Sequence, residues 1–468
     1  MTAWDRSTWS GKSVTVAGLG TFGGQVTAAK FFARLGAKVT VTDKKPREAL
    51  EVSLNELDGL DIRYVLGSHD EADFTAADLI VASPAIPENS KYLQLASSAG
   101  VPVTHEMDIV FQLLRAGVVA VTGSNGKSTT TALLAHILGK CLAASGRKVW
   151  LGGNIGKSLL LDAASIPPTD VVVLELSSFQ LEDLGTLRLS PHGAVVTNLT
   201  PNHLDRHVTF EAYTQAKRNI TRFQSSSDFL VLNADDPALK GWEKTEAKVL
   251  YFGKFSPQSR EGVYFSGRSL VFVSNGSSAP VDVPKGWRLR GEHNLANLAA
   301  ACAAAAPVGV SLADALSAAE DFRSLPHRLE YCATARGVEF YNDSIATTPE
   351  SAEVGLDSFT QPIVLIAGGY DKGVDLSQFA RKAARRVKAL VAIGKTGDAI
   401  AAAARSENAD LKILRPTAFH EAILAAYAEA APGDVVLMSP ACASYDMFNN
   451  FQERGDIFRK TAGDLACQ

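Results

Sequence analysis

Short apolar runs recur along the chain, each closed by glycine or polar turn residues and followed by a stretch with helical spacing. "SVTVAGLG" predicts a buried strand entering a glycine turn, "GGQVTAAKFFARLG" a helix stopped by Gly36, and "AKVTVTD" the next strand. "ADLIVASPAIP" repeats the strand-then-loop pattern. Further on, "GVVAVTG", "RKVWLGG", "DVVVLELS", "HGAVVTN" and "DFLVLNADD" alternate with helical stretches, which predicts a largely parallel sheet. "KVLYFGKF", "GVYFSGRSLVFVSNG" and "PVDVP" are short β-rich runs separated by turn signals, and predict an antiparallel flap. Two alanine-rich helices follow. A last series, "VEFYNDS", "PIVLIAGG", "VKALVAIG", "LKILRP" and "DVVLMSP", predicts another α/β unit beginning near "SLPHRLE".

With 468 residues, these rhythms divide the chain into three expected domains, 1–112, 113–325 and 326–468. The expected fold class is α/β: a Rossmann-like first domain, a central mononucleotide-binding domain of P-loop type with a mostly parallel sheet, and a Rossmann-like third domain. A hydrophobic fraction of 46% and a charged fraction of 21% are those of a globular chain. The net charge of −4 argues against a general nucleic-acid binder, so an anionic ligand must meet local positive charge. Cys141, Cys302, Cys332, Cys442 and Cys467 are scattered without a C-x-x-C pair, which suggests neither a disulfide framework nor a zinc site. The first residues, "MTAWDRSTWS", do not read as a secretory signal. The run "LANLAAACAAAAPVGV" is broken by Asn297 and Pro307, and reads as a tightly packed helix rather than a bilayer span. A cytoplasmic chain without membrane insertion is expected.

Two glycine loops carry the candidate chemistry. Gly18-Leu19-Gly20-Thr21-Phe22-Gly23 lies between a strand and a helix, with Asp43 at the end of the second strand. Such a turn lets backbone approach a diphosphate, while the helix start supplies positive potential and the acid can bond a ribose hydroxyl. The ligand could be NAD or a nucleotide sugar, and tight packing alone would also use these glycines. The second loop, "VTGSNGKSTT", misses the G-x-x-x-x-G-K-[ST] spacing, since five residues before Gly126 stands Val121. Its ingredients are nevertheless those of a phosphate cradle: Gly123, Asn125 and Gly126, then Lys127, Ser128 and Thr129 opening a helix. Lysine neutralises phosphate charge and a hydroxyl can ligate magnesium. Glu175 ends an apolar strand, where it is either a surface acid or a metal ligand. His203 and Asp205 stand in the polar loop "TNLTPNHLDRH", and Lys217 in the helix after it; each alone has a structural or solvated reading. Their ordered occurrence behind Lys127 favours catalysis.

With these motifs in place, the chain resembles the Mur ligases, ATP-dependent amino-acid ligases of peptidoglycan precursor synthesis, over nearly its whole length. "GSNGKST" matches the family's shortened ATP loop, and "GGNIG", "LELSSFQLE", "NHLDRH" and "SPACASYDMFNNFQERG" are most similar to members that add D-glutamate to UDP-N-acetylmuramoyl-L-alanine. The resemblance implies that the first glycine turn, with Gly18, Gly20, Thr21, Phe22, Gly23, Asp43 and Ser83, holds the uridine diphosphate, and that Asn154 contacts the muramoyl-alanine part. ATP would be bound by Gly123, Asn125, Gly126, Lys127, Ser128 and Thr129, by Asn294 and Asn297 near adenine, and by Arg328 and Asp343, with His327 at the hinge. Two magnesium ions would be held by Ser128, Glu175, His203 and Lys217 as its carbamate, so that Lys127, His203 and Lys217 form the catalytic set. Thr347, Lys372, Ser444 and Phe451 would surround glutamate. The D-glutamate-adding members usually carry lysine where this chain has Ile345 in "DSIATTPES", which leaves L-glutamate as an alternative; folylpolyglutamate synthetase is a second relative with the same ATP fold. Cys442 is read as packing. A monomer is expected.

Overall fold

The computed structural model describes residues 4–20, 23–87, 89–202, 204–274 and 277–467. Its strands form three sheets. The first contains β1 (Ser13–Ala17), β2 (Lys38–Asp43), β3 (Ile62–Leu66), β4 (Leu79–Ala82) and β5 (Val103–Thr104) in the order β3-β2-β1-β4-β5, all parallel. β1 and β4 are covered on both faces, which is why they read as continuous apolar runs rather than alternating ones. The order reverses between β1 and β4, so the loops leaving these strands flank the crevice where open α/β sheets bind ligands.

The second sheet contains β6 (Gly117–Thr122), β7 (Val149–Gly153), β8 (Val171–Glu175), β9 (Gly193–Val196), β10 (Phe229–Asn233), β11 (Lys248–Lys254), β12 (Gly262–Ser266), β13 (Ser269–Ser274) and β14 (Ser277–Asp282). Their order is β14-β13-β12-β11-β10-β9-β6-β8-β7. "KVLYFGKF" does not belong to an antiparallel flap: β11 pairs in parallel with both β10 and β12, and only β12–β14 run antiparallel. Its residues Leu250–Gly253 are buried, as in an interior strand. Local turn signals mark where a strand ends, but strand direction depends on how the connection crosses the sheet, which periodicity does not encode.

The third sheet contains β15 (Glu330–Ala335), β16 (Val338–Asn342), β17 (Ile363–Gly368), β18 (Ala389–Ile393), β19 (Lys412–Leu414) and β20 (Val435–Met438), ordered β15-β16-β20-β17-β18-β19. All pairs are parallel except the β15–β16 hairpin. Arg336 and Gly337 make its two-residue turn with positive φ at both positions, +47° and +81°, the geometry that matches strand twist. β15 escaped the sequence reading because "EYCATA" is half-exposed and carries no apolar run.

By packing, the chain forms two compact units, residues 1–283 with 296–319, and residues 284–295 with 320–468. The first two sheets lie in the first unit and the third sheet in the second. The alanine-rich run is the helix Glu292–Ala305, and Leu298–Ala305 along it are buried, as expected of a packed helix. Among the described residues no helix is long and apolar enough to cross a membrane.

Candidate active site

The first glycine turn is shaped by close approach. Gly18 has φ +78°, and a Cβ there would lie 3.0 Å from the Ser83 Cβ and 3.1 Å from Ile86 Cδ1, so glycine lets the loops after β1 and β4 close on each other. The Ser83 N–H donates to the Ala17 carbonyl at 2.9 Å. Asp43 accepts from the Gly20 N–H at 3.0 Å and the Lys45 N–H at 2.8 Å, fastening the turn to the end of β2. Gly23, with φ +84°, caps the helix Gly24–Arg34. Thr21 and Phe22 lie outside the described residues.

Beside this helix start stands a carboxyl group that the sequence did not single out. A Cβ on Gly24 would come within 3.9 Å of Glu106, whose side chain accepts the Ser158 hydroxyl. Burial, reinforced by Asp108, pushes the Glu106 pKa up to about 7. Because the folded protein holds this proton more tightly than the unfolded chain, the associated stability is full below about pH 4.5 and is lost as pH rises through about 7. Glu106→Gln is expected to match the parent protein near pH 4.5 and to exceed it by roughly 1–3 kcal/mol at pH 8. Urea unfolding at the two pH values measures this, and equal differences at both would refute it.

The second loop connects β6 to the helix Lys127–Leu142. At Gly123, φ +142°, a Cβ would fall 2.0 Å from Thr197 Oγ1, and at Gly126, φ +81°, 2.5 Å from Asn297 Oδ1; neither site accommodates a side chain. The shortened loop is braced from the end of β9. The Ser124 N–H donates to the Asn198 carbonyl at 2.7 Å, the Asn125 N–H to Asn198 Oδ1 at 2.9 Å, and the Thr197 hydroxyl to the Asn125 carbonyl at 2.6 Å. The Lys127 ammonium donates to the Ser124 carbonyl at 2.9 Å, which curls it over the loop. Ser128 is half-buried and Thr129 buried. Asn297 accepts from the Thr130 hydroxyl at 3.2 Å, placing this sequence-identified residue against the loop. Asn198 and Tyr213, whose hydroxyl lies 2.9 Å from Ser124 Oγ, were missed by the sequence reading; a polar pair ending the apolar run "GAVVTN" was the available signal for Asn198.

Glu175 ends β8, in register with Val121 of β6 and Gly153 of β7. It is 1% exposed; one oxygen accepts from the Asn154 amide at 3.1 Å and the other, Oε2, is buried without a partner among the described residues. The surface-acid reading of Glu175 is thereby excluded. Lys217, on the helix Phe210–Arg222, is 2% exposed, which also excludes a solvated lysine. Its amine donates to Thr122 Oγ1 at 3.2 Å and lies 4.8 Å from the centre of the Tyr213 ring. Burial first, and then the charge of Lys127, hold its pKa well below the usual ammonium range, with Glu175 opposing them. A buried carboxylate oxygen without a donor is costly. The donors here, a carboxylate oxygen and the Ser128 hydroxyl, are hard oxygen ligands that suit magnesium. The residues thus fit that ion. His203 lies outside the described residues.

In the second unit, Asp343 is buried; it accepts from the Ser439 hydroxyl at 2.7 Å and the Leu329 N–H at 3.1 Å, and burial pushes its pKa up to about 7. Arg328 lies between His327 and Leu329, both with positive φ, +65° and +42°. Asn294 donates to the Arg290 carbonyl at 2.7 Å. Thr347 and Lys372 line one cavity of about 260 Å³, together with Thr348, Tyr370, Asp371 and Thr396. Ser444 and Phe451 are not in its wall. Ser444 is buried, and the Phe451 carbonyl accepts from the Ser344 hydroxyl at 2.7 Å. Cys442, read as packing, is buried and does line the cavity, with Sγ 3.2 Å from Thr396 Oγ1; burial raises its thiol pKa. The Ile345 N–H donates to the His327 carbonyl at 3.1 Å.

Three family models match the chain in succession: the Mur ligase MurD-like N-terminal domain over residues 12–105, the Mur ligase middle domain over 121–305, and the Mur ligase glutamate ligase domain over 327–442. The chain belongs to the Mur ligase family. It is 41% identical over 461 residues to the UDP-N-acetylmuramoylalanine–D-glutamate ligase of Roseiflexus sp. (strain RS-1), covering 96% of this chain and 98% of the relative. The enzyme of the same name from Geobacter metallireducens is 40% identical over 456 residues, covering 97% and 98%. Among solved structures, the fold is shared with the UDP-N-acetylmuramate-alanine ligase MurC of Thermotoga maritima, with a TM-score of 0.63 at 20% identity over 97% of this chain and 99% of that one. It is shared also with the MurF ligase of the same organism in complex with ADP, with a TM-score of 0.57 at 19% identity over 99% and 98%.

Proposed function

We propose that this chain joins D-glutamate to UDP-N-acetylmuramoyl-L-alanine at the expense of ATP, releasing ADP and phosphate, in peptidoglycan precursor synthesis. The similarity of about 40% over nearly the whole chain to ligases of that name supports the activity. The observation that ties it to residues is the buried Glu175 oxygen that has no partner among the described residues, with the buried Lys217, whose pKa is lowered by burial and by Lys127 of the ATP-type loop and raised by Glu175.

A carboxylate does not condense with an amine unaided. An oxygen of the acceptor carboxylate attacks the γ-phosphorus, the bond to ADP breaks, and an acyl phosphate forms. The glutamate amine then adds to the acyl carbon, loses a proton, and phosphate leaves with the C–O electron pair. Gly123, Asn125, Gly126, Ser128 and Thr129 cradle the phosphates, and Lys127 turns from the Ser124 carbonyl to meet the γ-phosphoryl oxygens. Ser128, Glu175, His203 and Lys217 would hold magnesium, which when bound adds positive charge against the phosphate oxygens. As an unprotonated amine, Lys217 can take up carbon dioxide: its nitrogen bonds the carbon, a proton leaves, and the resulting carbamate is an anion that serves as a ligand where an ammonium would repel the ion.

The crevice between β1 and β4, with Gly18, Gly20, Thr21, Phe22, Gly23, Asp43 and Ser83, takes the uridine diphosphate, and Asn154 the muramoyl-alanine. Asn294, Asn297, Arg328 and Asp343 complete the ATP site; Thr347, Lys372, Ser444 and Phe451 receive glutamate. The enzyme acts as a cytoplasmic monomer with domains 1–112, 113–325 and 326–468. The test is phosphate release with UDP-N-acetylmuramoyl-L-alanine and ATP, comparing D-glutamate, L-glutamate, diaminopimelate and lysine. Release with D-glutamate alone is expected; faster release with L-glutamate would overturn the assignment of the enantiomer.

A further inference from the structure

The segment between the proposed ligands His203 and Lys217 contains a strained turn. The Thr209 N–H donates to the His207 carbonyl at 2.7 Å, and Val208 between them has φ +63°. This is a γ-turn of the rare, strained hand, occupied by a β-branched residue that is 79% exposed. No burial of the valine offsets the strain, so neighbouring contacts must hold the backbone there.

Those contacts converge on the two residues before it. The buried His207 ring has Nε2 2.8 Å from Ser178 Oγ and Nδ1 3.5 Å from Glu182 Oε1. It stacks on Phe179 at 5.3 Å with an interplanar angle of 18°, and meets Tyr213 edge-on at 5.4 Å. The Arg206 guanidinium lies 3.9 Å from the centre of the same Phe179 ring and donates to the Pro84 carbonyl. Ser178 begins the helix that leaves the Glu175 strand end, and Thr209 caps the helix that carries Lys217. His207 therefore connects the helix that follows the Glu175 strand end to the start of the helix that carries Lys217.

We propose that His207 is a positioning residue of the metal-dependent reaction: locked to Ser178 and Phe179, it holds the strained turn that sets where the Lys217 helix begins. This rests on the reading of Glu175 and Lys217 as ligands. A purely structural histidine would affect stability without altering cation affinity, so the two roles separate experimentally.

The test measures Mn2+ affinity by electron paramagnetic resonance in the presence of ADP, alongside kcat, KM and Tm, in the full chain. His207→Ala is expected to weaken Mn2+ binding and lower kcat each by roughly ten- to a hundred-fold, with KM for both organic substrates within about twofold of the parent, while His207→Gln restores part of both losses. Unchanged Mn2+ affinity in the folded His207→Ala protein overturns the proposal, whatever happens to kcat. Should that variant not fold, Ser178→Ala removes one anchor while leaving the Ser177 cap of its helix, and the same criteria apply. Lys217→Ala serves as reference. Weaker binding there with none in His207→Ala defeats the positioning role alone; no weakening in Lys217→Ala defeats the ligand reading beneath it.

Discussion

Replacing Lys127 by alanine is expected to lower turnover by about a thousand-fold or more while the protein stays folded. The size follows from two effects in one direction. The phosphoryl group in flight loses a full positive charge in a recess where water screens poorly. In addition, the charge of Lys127 is, after burial, the second cause that lowers the Lys217 pKa, so its removal lets that pKa rise and works against the carbamate proposed for Lys217. The Lys127 ammonium donates to the Ser124 carbonyl within its own loop, so this contact ties together no distant segments. Steady-state phosphate release with a thermal unfolding control measures the effect. Turnover near the parent value would remove the ATP-loop assignment.

Replacing Lys217 by alanine is expected to cost at least about a hundred-fold in kcat, with partial recovery on adding a short carboxylic acid such as formate or acetate. The truncated side chain leaves a space against Thr122 and Tyr213, and the added carboxylate would take over the anionic oxygens of the carbamate proposed for Lys217. Rescue by a carboxylate, and none by a short amine, separates an anionic ligand from an ammonium acting as a charge. An undiminished kcat in Lys217→Ala would show that the amine takes no part in the reaction.

The buried position of Lys217 was not legible in the sequence. "TQAKRNITRF" is strongly polar, and its one lysine among neighbouring basic and amide residues reads as a solvated face. Only the packing of that helix turns Lys217 inward beside Tyr213 and Ile220. Asp43 illustrates the opposite case: its place at the end of the second strand was readable, but its two backbone N–H partners depend on how the glycine turn folds back. The brace from Asn198 to the ATP-type loop spans two chain-distant segments, and so no local pattern announces it.

What the sequence determined by itself was local: the buried strands, the glycines at strand ends, the helix starts and the ordered ATP-type motif. These depend on burial period and backbone stereochemistry, which act over a few neighbouring residues. The tertiary structure alone decided that β11 runs parallel to its neighbours, that Glu175 keeps one oxygen without a partner among the described residues, that burial lowers the pKa of Lys217, and that His207 braces a strained turn. Direction, desolvation and charge coupling arise between segments far apart in the chain, and they take their values only when those segments are packed together.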